Sequence, residues 1–258
     1  MVMLMLPHKL PSTNMDSLTS TGDSQSYLPS LSSTSLDELN DAVIHKKHTH
    51  EYLTRRLVRT KTNSGHFDIS SLLMNYSTDP YEFDDEILLD IAIAMWEFYG
   101  LFSEFSFTKD ACKQFLRSIR ALYNPENSFH NFKHVWSVMH TCFQILYHGA
   151  DKFLSKLDIL AVFIASICHD VRHPGNSNAF ESAIQSDVYR TYKRENEVCV
   201  LERYHASITE TLLSQEWCKD ILLYNFSPVM RANLIKQVQF IIMGTDMAKH
   251  HYLVTEVR

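Results

Sequence analysis

The stretch Leu157-Asp158-Ile159-Leu160-Ala161-Val162-Phe163-Ile164-Ala165-Ser166-Ile167-Cys168, followed by His169-Asp170-Val171-Arg172-His173-Pro174-Gly175, decides the fold. Its first part is apolar on nearly every side, so it predicts a helix running through the centre of a bundle rather than over its surface. Pro174-Gly175 then forces a turn. Ahead of it, Phe132, Val135, Trp136, Met139, Cys142, Phe143 and Leu146 recur at helical spacing until Gly149. Ile87, Leu88, Ile91, Met95 and Phe98 form an earlier apolar face, and Phe115, Leu116, Ile119 and Leu122 form another. Behind it, Ser227-Pro228 marks a helix start, with Leu234, Ile235, Val238, Ile241 and Ile242 on the face that follows. No strand alternation and no internal repeat is visible, so the expected fold class is all-α.

Composition points the same way. Six glycines and seven prolines in 258 residues are too few for turn-rich β architectures, and the glycines stand too far apart for a phosphate-cradling loop. With 24 Lys and Arg against 30 Asp and Glu, and a net charge of -6, nucleic acid and anionic membrane are not expected as main partners. Cys112, Cys142, Cys168, Cys199 and Cys218 are odd in number, widely spaced and set mostly in apolar helical runs. They read as reduced core thiols, which predicts a cytoplasmic location. The apolar start Met1–Leu6 is short and lacks a basic region before it, and no run approaches a bilayer's length. Neither a signal peptide nor a membrane span is expected.

The amino-terminal end differs from the rest. Residues 12 to 35 hold nine serines and four threonines, too little apolar surface to offset ordering entropy, so residues 1–34 are expected to be a disordered tail. Ser35 with Glu38 forms a capping-box pattern, and Leu36, Leu39, Val43, Leu53 and Leu57 predict a helix or linker over 35–62. Its basic run, from Lys46 to Lys61, reads as a solvated helix face.

Two elements carry chemistry. In Phe129-His130-Asn131-Phe132-Lys133-His134, two histidines four apart share one face at a helix start. Such pairs are common without function. In Cys168-His169-Asp170, an adjacent imidazole and carboxylate arrive where the most apolar helix ends. An ionised Asp at that depth costs several kcal/mol unless partnered, and a divalent metal is a natural partner; a helix cap is the alternative.

The ordered set Phe129-His130-Asn131 with His134, His169-Asp170 with His173-Pro174-Gly175 and Asn178, Leu201-Glu202 with His205, and Thr245-Asp246-Met247 with Lys249-His250 resembles the catalytic domain of the class I 3′,5′-cyclic nucleotide phosphodiesterases. That family is a branch of the wider HD metal phosphohydrolases. The resemblance runs from about His66 to Arg258, and Phe67-Asp68-Ile69 and Tyr123-Asn124-Pro125 look like that domain's entry. It implies a compact multi-helix bundle over residues 63–258 that hydrolyses cAMP or cGMP to the 5′-nucleotide in signal transduction. Read from the metal residues alone, another phosphoester substrate, or metal binding without turnover, stays open.

Carried over to this chain, the resemblance makes His130 the general acid for the leaving 3′ oxygen and His134, His169 and Asp170 the ligands of a zinc. Asp170 would also reach a second metal, magnesium or manganese, whose waters are held by His173, Glu202 and Thr245. Asp246 and Met247 would line the pocket floor. The chemistry is coherent: a phosphodiester gains negative charge in the transition state, two divalent cations stabilise it, and the leaving alkoxide takes a proton from a nearby imidazole.

Departures from the family pattern are also legible. Arg172 stands where an acid is usual, Tyr204 replaces one of a usual His pair, and Phe129 stands where Tyr is common. The family's last zinc ligand is an Asp well downstream, followed by a Gln and aromatics that hold the purine, whereas this chain stops at Arg258. The expectation is a domain incomplete at its carboxyl end with weak or absent turnover. A homo-oligomer is left open.

Overall fold

The structure is a computed structural model that describes residues 69–195, 199–249 and 255. The expected tail (1–34) and the helix or linker over 35–62 lie outside the described residues, as do His250 and His251. Among the described residues there are eleven α-helices and no strand, so the all-α class holds. In chain order they are α1 (Ile69–Met74), α2 (Asp85–Phe98), α3 (Leu101–Phe105), α4 (Lys109–Arg120), α5 (Phe132–Tyr147), α6 (Lys156–Cys168), α7 (Asn178–Ala183), α8 (Asp187–Tyr192), α9 (Val200–Ser214), α10 (Glu216–Ile221) and α11 (Pro228–Met243).

Helix α6 is the axis of the fold. Ser155 and Asp158 close a reciprocal capping box at its start, and every residue from Ile159 to Cys168 is buried. The one hydroxyl in that run, Ser166, satisfies itself by donating to Val162 O at 2.7 Å. Helices α5 and α11 pack along α6, and α9 packs on α11. Phe163 lies between Trp96, in a near-parallel ring contact, and Tyr99.

The predicted faces of α5 and α11 are the buried ones. All seven named α5 positions are buried, and Leu234, Val238, Ile241 and Ile242 are buried in α11 with Ile235 packed at the core's edge. Asn131 caps α5 through the backbone N–H of Lys133 and His134, and Ser227 with Pro228 starts α11 as expected. After α5 the chain turns at Gly149, whose φ of 115° is open to glycine at no steric cost. Trp136 is fixed by donating from Nε1 to Leu88 O at 2.7 Å, which ties α5 to α2.

One predicted core position differs. Phe98, at the last turn of α2, is 48% exposed, although Trp96 before it and Tyr99 after it are buried. Its ring instead covers the rim of the core, edge-on to Phe143 and Tyr147. All five cysteines are buried. No helix among the described residues is long and apolar enough to cross a membrane.

Candidate metal centre and active site

Three helix ends meet at the site. His134 lies in the first turn of α5, His169 and Asp170 leave the end of α6, and Glu202 and His205 lie in the first turns of α9. The capping of α5 by Asn131 and the burial of α6 fix the first two, so sequence features that look purely structural aim the chemistry.

The geometry centres on the Asp170 carboxylate. His134 Nε2 is 3.3 Å and His169 Nε2 3.2 Å from Asp170 Oδ2. His169 Nδ1 lies 2.9 Å from Ser166 O, a pairing that places its proton on Nδ1 and leaves Nε2 a lone pair facing the carboxylate. Ligands held tetrahedrally at zinc distances stand roughly 3.3 Å apart, and the ligand atoms of His134, His169 and Asp170 all lie within 4.8 Å of one another. The donor set therefore fits a divalent metal.

A second group shares the same carboxylate. Asp170, His173 and His205 also bring ligand atoms within 4.8 Å. His205 Nδ1 is 2.8 Å from Val171 O, so its other nitrogen points toward Asp170 as an acceptor; that Nε2 is buried with no hydrogen-bond partner, 3.9 Å from Asp170 Oδ1. Sequence reading quoted His205 in its motif but gave it no role. The signal was its spacing from Glu202, three residues apart on one helical face.

His130 precedes α5 in the loop and is half-buried. Its ring stacks on that of His173 with centroids 3.8 Å apart and planes 8° apart. His173 Nδ1 accepts from Gly175 N at 3.0 Å, leaving its Nε2–H to donate. Glu202 accepts from Asn178 Nδ2 at 3.0 and 3.3 Å, and Asn178 Oδ1 in turn accepts from Leu201 N. Asp246 is buried near enough to Glu202 to repel its charge, and its Oδ1 accepts from Ala248 N. Thr245 donates to Ile242 O at 2.8 Å, and no hydrogen bond among the described residues joins it to His173 or Glu202. Met247 is 62% exposed.

Electrostatics follow from burial against mutual charge. Burial opposes the Asp170 carboxylate's charge, but the imidazoles of His169, His134 and His205 overcome it and hold the group well below the usual carboxylate range. Burial disfavours a charged His169 too, yet the adjacent Asp170 raises its pKa. Burial pushes His205 and His173 down to about 4, with Asp170 opposing. It lowers His130 as well and raises Glu202. The site is a compact anion surrounded by imidazoles, of which burial holds His130, His173 and His205 toward the neutral form.

Of the departures noted in sequence, Tyr204 is half-buried with its ring against those of Tyr192 and His205, and the Arg172 charge works against the burial that raises its pKa. Arg172 itself is exposed with φ of 59°. Phe129 lies against the rings of His134 and His130.

The all-α bundle thus brings two histidines and an aspartate together at one candidate metal centre. The family model of the 3′5′-cyclic nucleotide phosphodiesterases matches residues 129–258, just over half of the chain, and the chain belongs to that family. It is 29% identical over 184 residues to the 3′,5′-cyclic-nucleotide phosphodiesterase regA of Dictyostelium discoideum, covering 71% of this chain and 23% of regA. It is 32% identical over 164 residues to the cGMP-specific 3′,5′-cGMP phosphodiesterase 3 of the same organism, covering 63% of this chain and 34% of that protein. Among solved structures, the phosphodiesterase domain of Salpingoeca rosetta rhodopsin phosphodiesterase superposes with a TM-score of 0.64 at 28% identity, over 74% of this chain and 58% of that one. The chain thus spans about a quarter to a third of these curated relatives and somewhat over half of the solved domain.

Proposed function

We propose that the protein hydrolyses 3′,5′-cyclic nucleotides, cAMP or cGMP, to 5′-nucleotides, with the catalytic unit in residues 63–258. The observation that carries this reading is the convergence of His134, His169 and Asp170 beside a separate imidazole, His130, in a chain of this family. His134, His169 and Asp170 would hold a zinc ion, and Asp170 would also serve a second cation, magnesium or manganese. Bound there, divalent cations supply Lewis acidity toward phosphoryl oxygens and lower the pKa of water.

The protein's own groups do the rest. His130 delivers a proton to the departing 3′ oxygen. The Nε2–H of His173 and the carboxylate of Glu202 hold and orient waters, with Thr245 adding a hydroxyl. Asp246 and Met247 line the substrate side. The buried cysteine thiols support a reducing, cytoplasmic setting.

The test is product analysis by the zinc- and magnesium-supplemented full chain on cAMP, cGMP and bis-p-nitrophenyl phosphate. Release of 5′-nucleotide that disappears in His169→Ala supports the reading. Turnover of the p-nitrophenyl diester alone assigns another phosphoester, and a fully active His169→Ala protein overturns the metal assignment.

A further inference from the structure

We propose that Asn127 is a positioning residue of the site: its side-chain amide locks the loop carrying His130 to the turn carrying His173, and so fixes the stacked pair of imidazoles. The inference deepens the phosphodiesterase reading, since it assumes His130 is the proton donor. Asn127 Nδ2 donates to two backbone carbonyls from separate motifs, His130 O at 3.1 Å and His173 O at 3.0 Å. An amide nitrogen has two donors in one plane, which suits it to serve both. Among the described residues, no other hydrogen bond joins residues 126–131 to residues 170–176.

The lock is anchored on both sides. Asn127 O accepts from Asn131 Nδ2 at 2.9 Å, and Asn131 Oδ1 caps the first turn of α5, where His134 sits. Across the gap, Gly175 adopts φ of 90°, and a Cβ there would stand 3.0 Å from Asn127 Oδ1. Glycine at 175 therefore serves two needs, the left-handed turn and the close approach of Asn127. The same Gly175 N–H orients the His173 ring.

The consequence falls on His130. It lies outside any helix, so its backbone has no ladder of hydrogen bonds to hold it, yet a proton donor works only when aimed. Its ring is aimed by lying flat on His173 at 3.8 Å. The two rings belong to different segments, and that contact depends on the register between the segments, which Asn127 sets.

The experiment uses the full chain with labelled histidines, comparing the native protein with Asn127→Asp, which keeps the shape but turns an acceptor toward both carbonyls, and with Asn127→Ser. In the native protein, nuclear Overhauser contacts between the His130 and His173 rings and mutual ring-current shifts are expected. Both should vanish in the variants while zinc content stays that of the native protein. A native protein without these contacts, or variants that retain them, overturns the proposal. Where turnover is measurable, kcat on the cyclic nucleotide should fall by at least about tenfold with little change in KM. Hydrolysis of bis-p-nitrophenyl phosphate, whose leaving group departs without a proton, should fall far less. Equal losses on both substrates would show a general structural role and overturn the positioning assignment. Absence of turnover on either substrate in the native protein counts against the phosphodiesterase reading, while the ring contacts still decide the role of Asn127.

Discussion

His205 Nε2 points at Asp170 Oδ1 from 3.9 Å and, though buried, has no hydrogen-bond partner. Burying an acceptor unpaired costs about 1–3 kcal/mol, and the fold tolerates that here while satisfying nearly every other buried polar side chain among the described residues. A cation between His205 and Asp170, or water held by one, would relieve it.

His205→Ala should therefore separate the two metals. Zinc stoichiometry, held by His134, His169 and Asp170, is expected to persist, while magnesium affinity measured by titration falls by about tenfold to a hundredfold. Equal affinities for both ions in variant and native protein would sink the assignment.

Metal removal should destabilise the bundle, because the centre joins the start of α5 to the end of α6. Zinc at about a hundred times its dissociation constant is expected to add about 2.7 kcal/mol of unfolding stability. The gain, read by thermal unfolding with and without chelator, should be absent in His169→Ala. It should also shrink in acid, since protonated imidazoles do not ligate. A melting temperature indifferent to zinc would refute the centre.

The fold was largely legible because burial imposes periodicity. The run Ile159–Cys168, apolar but for Ser166, could satisfy its side chains only at the middle of a bundle, and it lies there. Phe98 misled because periodicity says which face a residue shares, not how deeply that position is covered. The short helices α7, α8 and α10 carry too few turns to show a period. In the site, the adjacent pair His169 and Asp170 was readable as candidate ligands from the depth at which it arrives. His205 was marked only by its spacing from Glu202, and Asn127 not at all, since the roles proposed for them rest on contacts to Val171 O, His130 O and His173 O, and backbone carbonyls leave no mark in sequence.

Core truncation should be costly in proportion to burial. Phe163 is fully buried on α6 against Trp96 and Tyr99, so Phe163→Ala is expected to cost about 3–5 kcal/mol in denaturant unfolding. Phe153, 87% exposed, should tolerate the same change within about 0.5 kcal/mol. Similar costs for the two would contradict the placement of α6 as the axis.

A pH dependence away from the metal centre should come from His140. The ring is buried on α5 against Trp136, and its Nε2 lies 3.0 Å from Leu73 O, an oxygen that also accepts from Gln144 Nε2 at 2.7 Å. Burial outweighs that carbonyl contact and lowers the His140 pKa below its ordinary value. The unfolded chain consequently takes up this proton first as pH falls, so the contribution is whole above about pH 6.5 and lost as pH drops through and below that value. His140→Gln keeps a donor for Leu73 O but cannot titrate. Urea unfolding between about pH 7.5 and pH 5 should show native stability falling more steeply than that of the variant. Parallel slopes would mean that His140 accepts its proton in the folded state without penalty, which its burial against Trp136 and α1 does not allow.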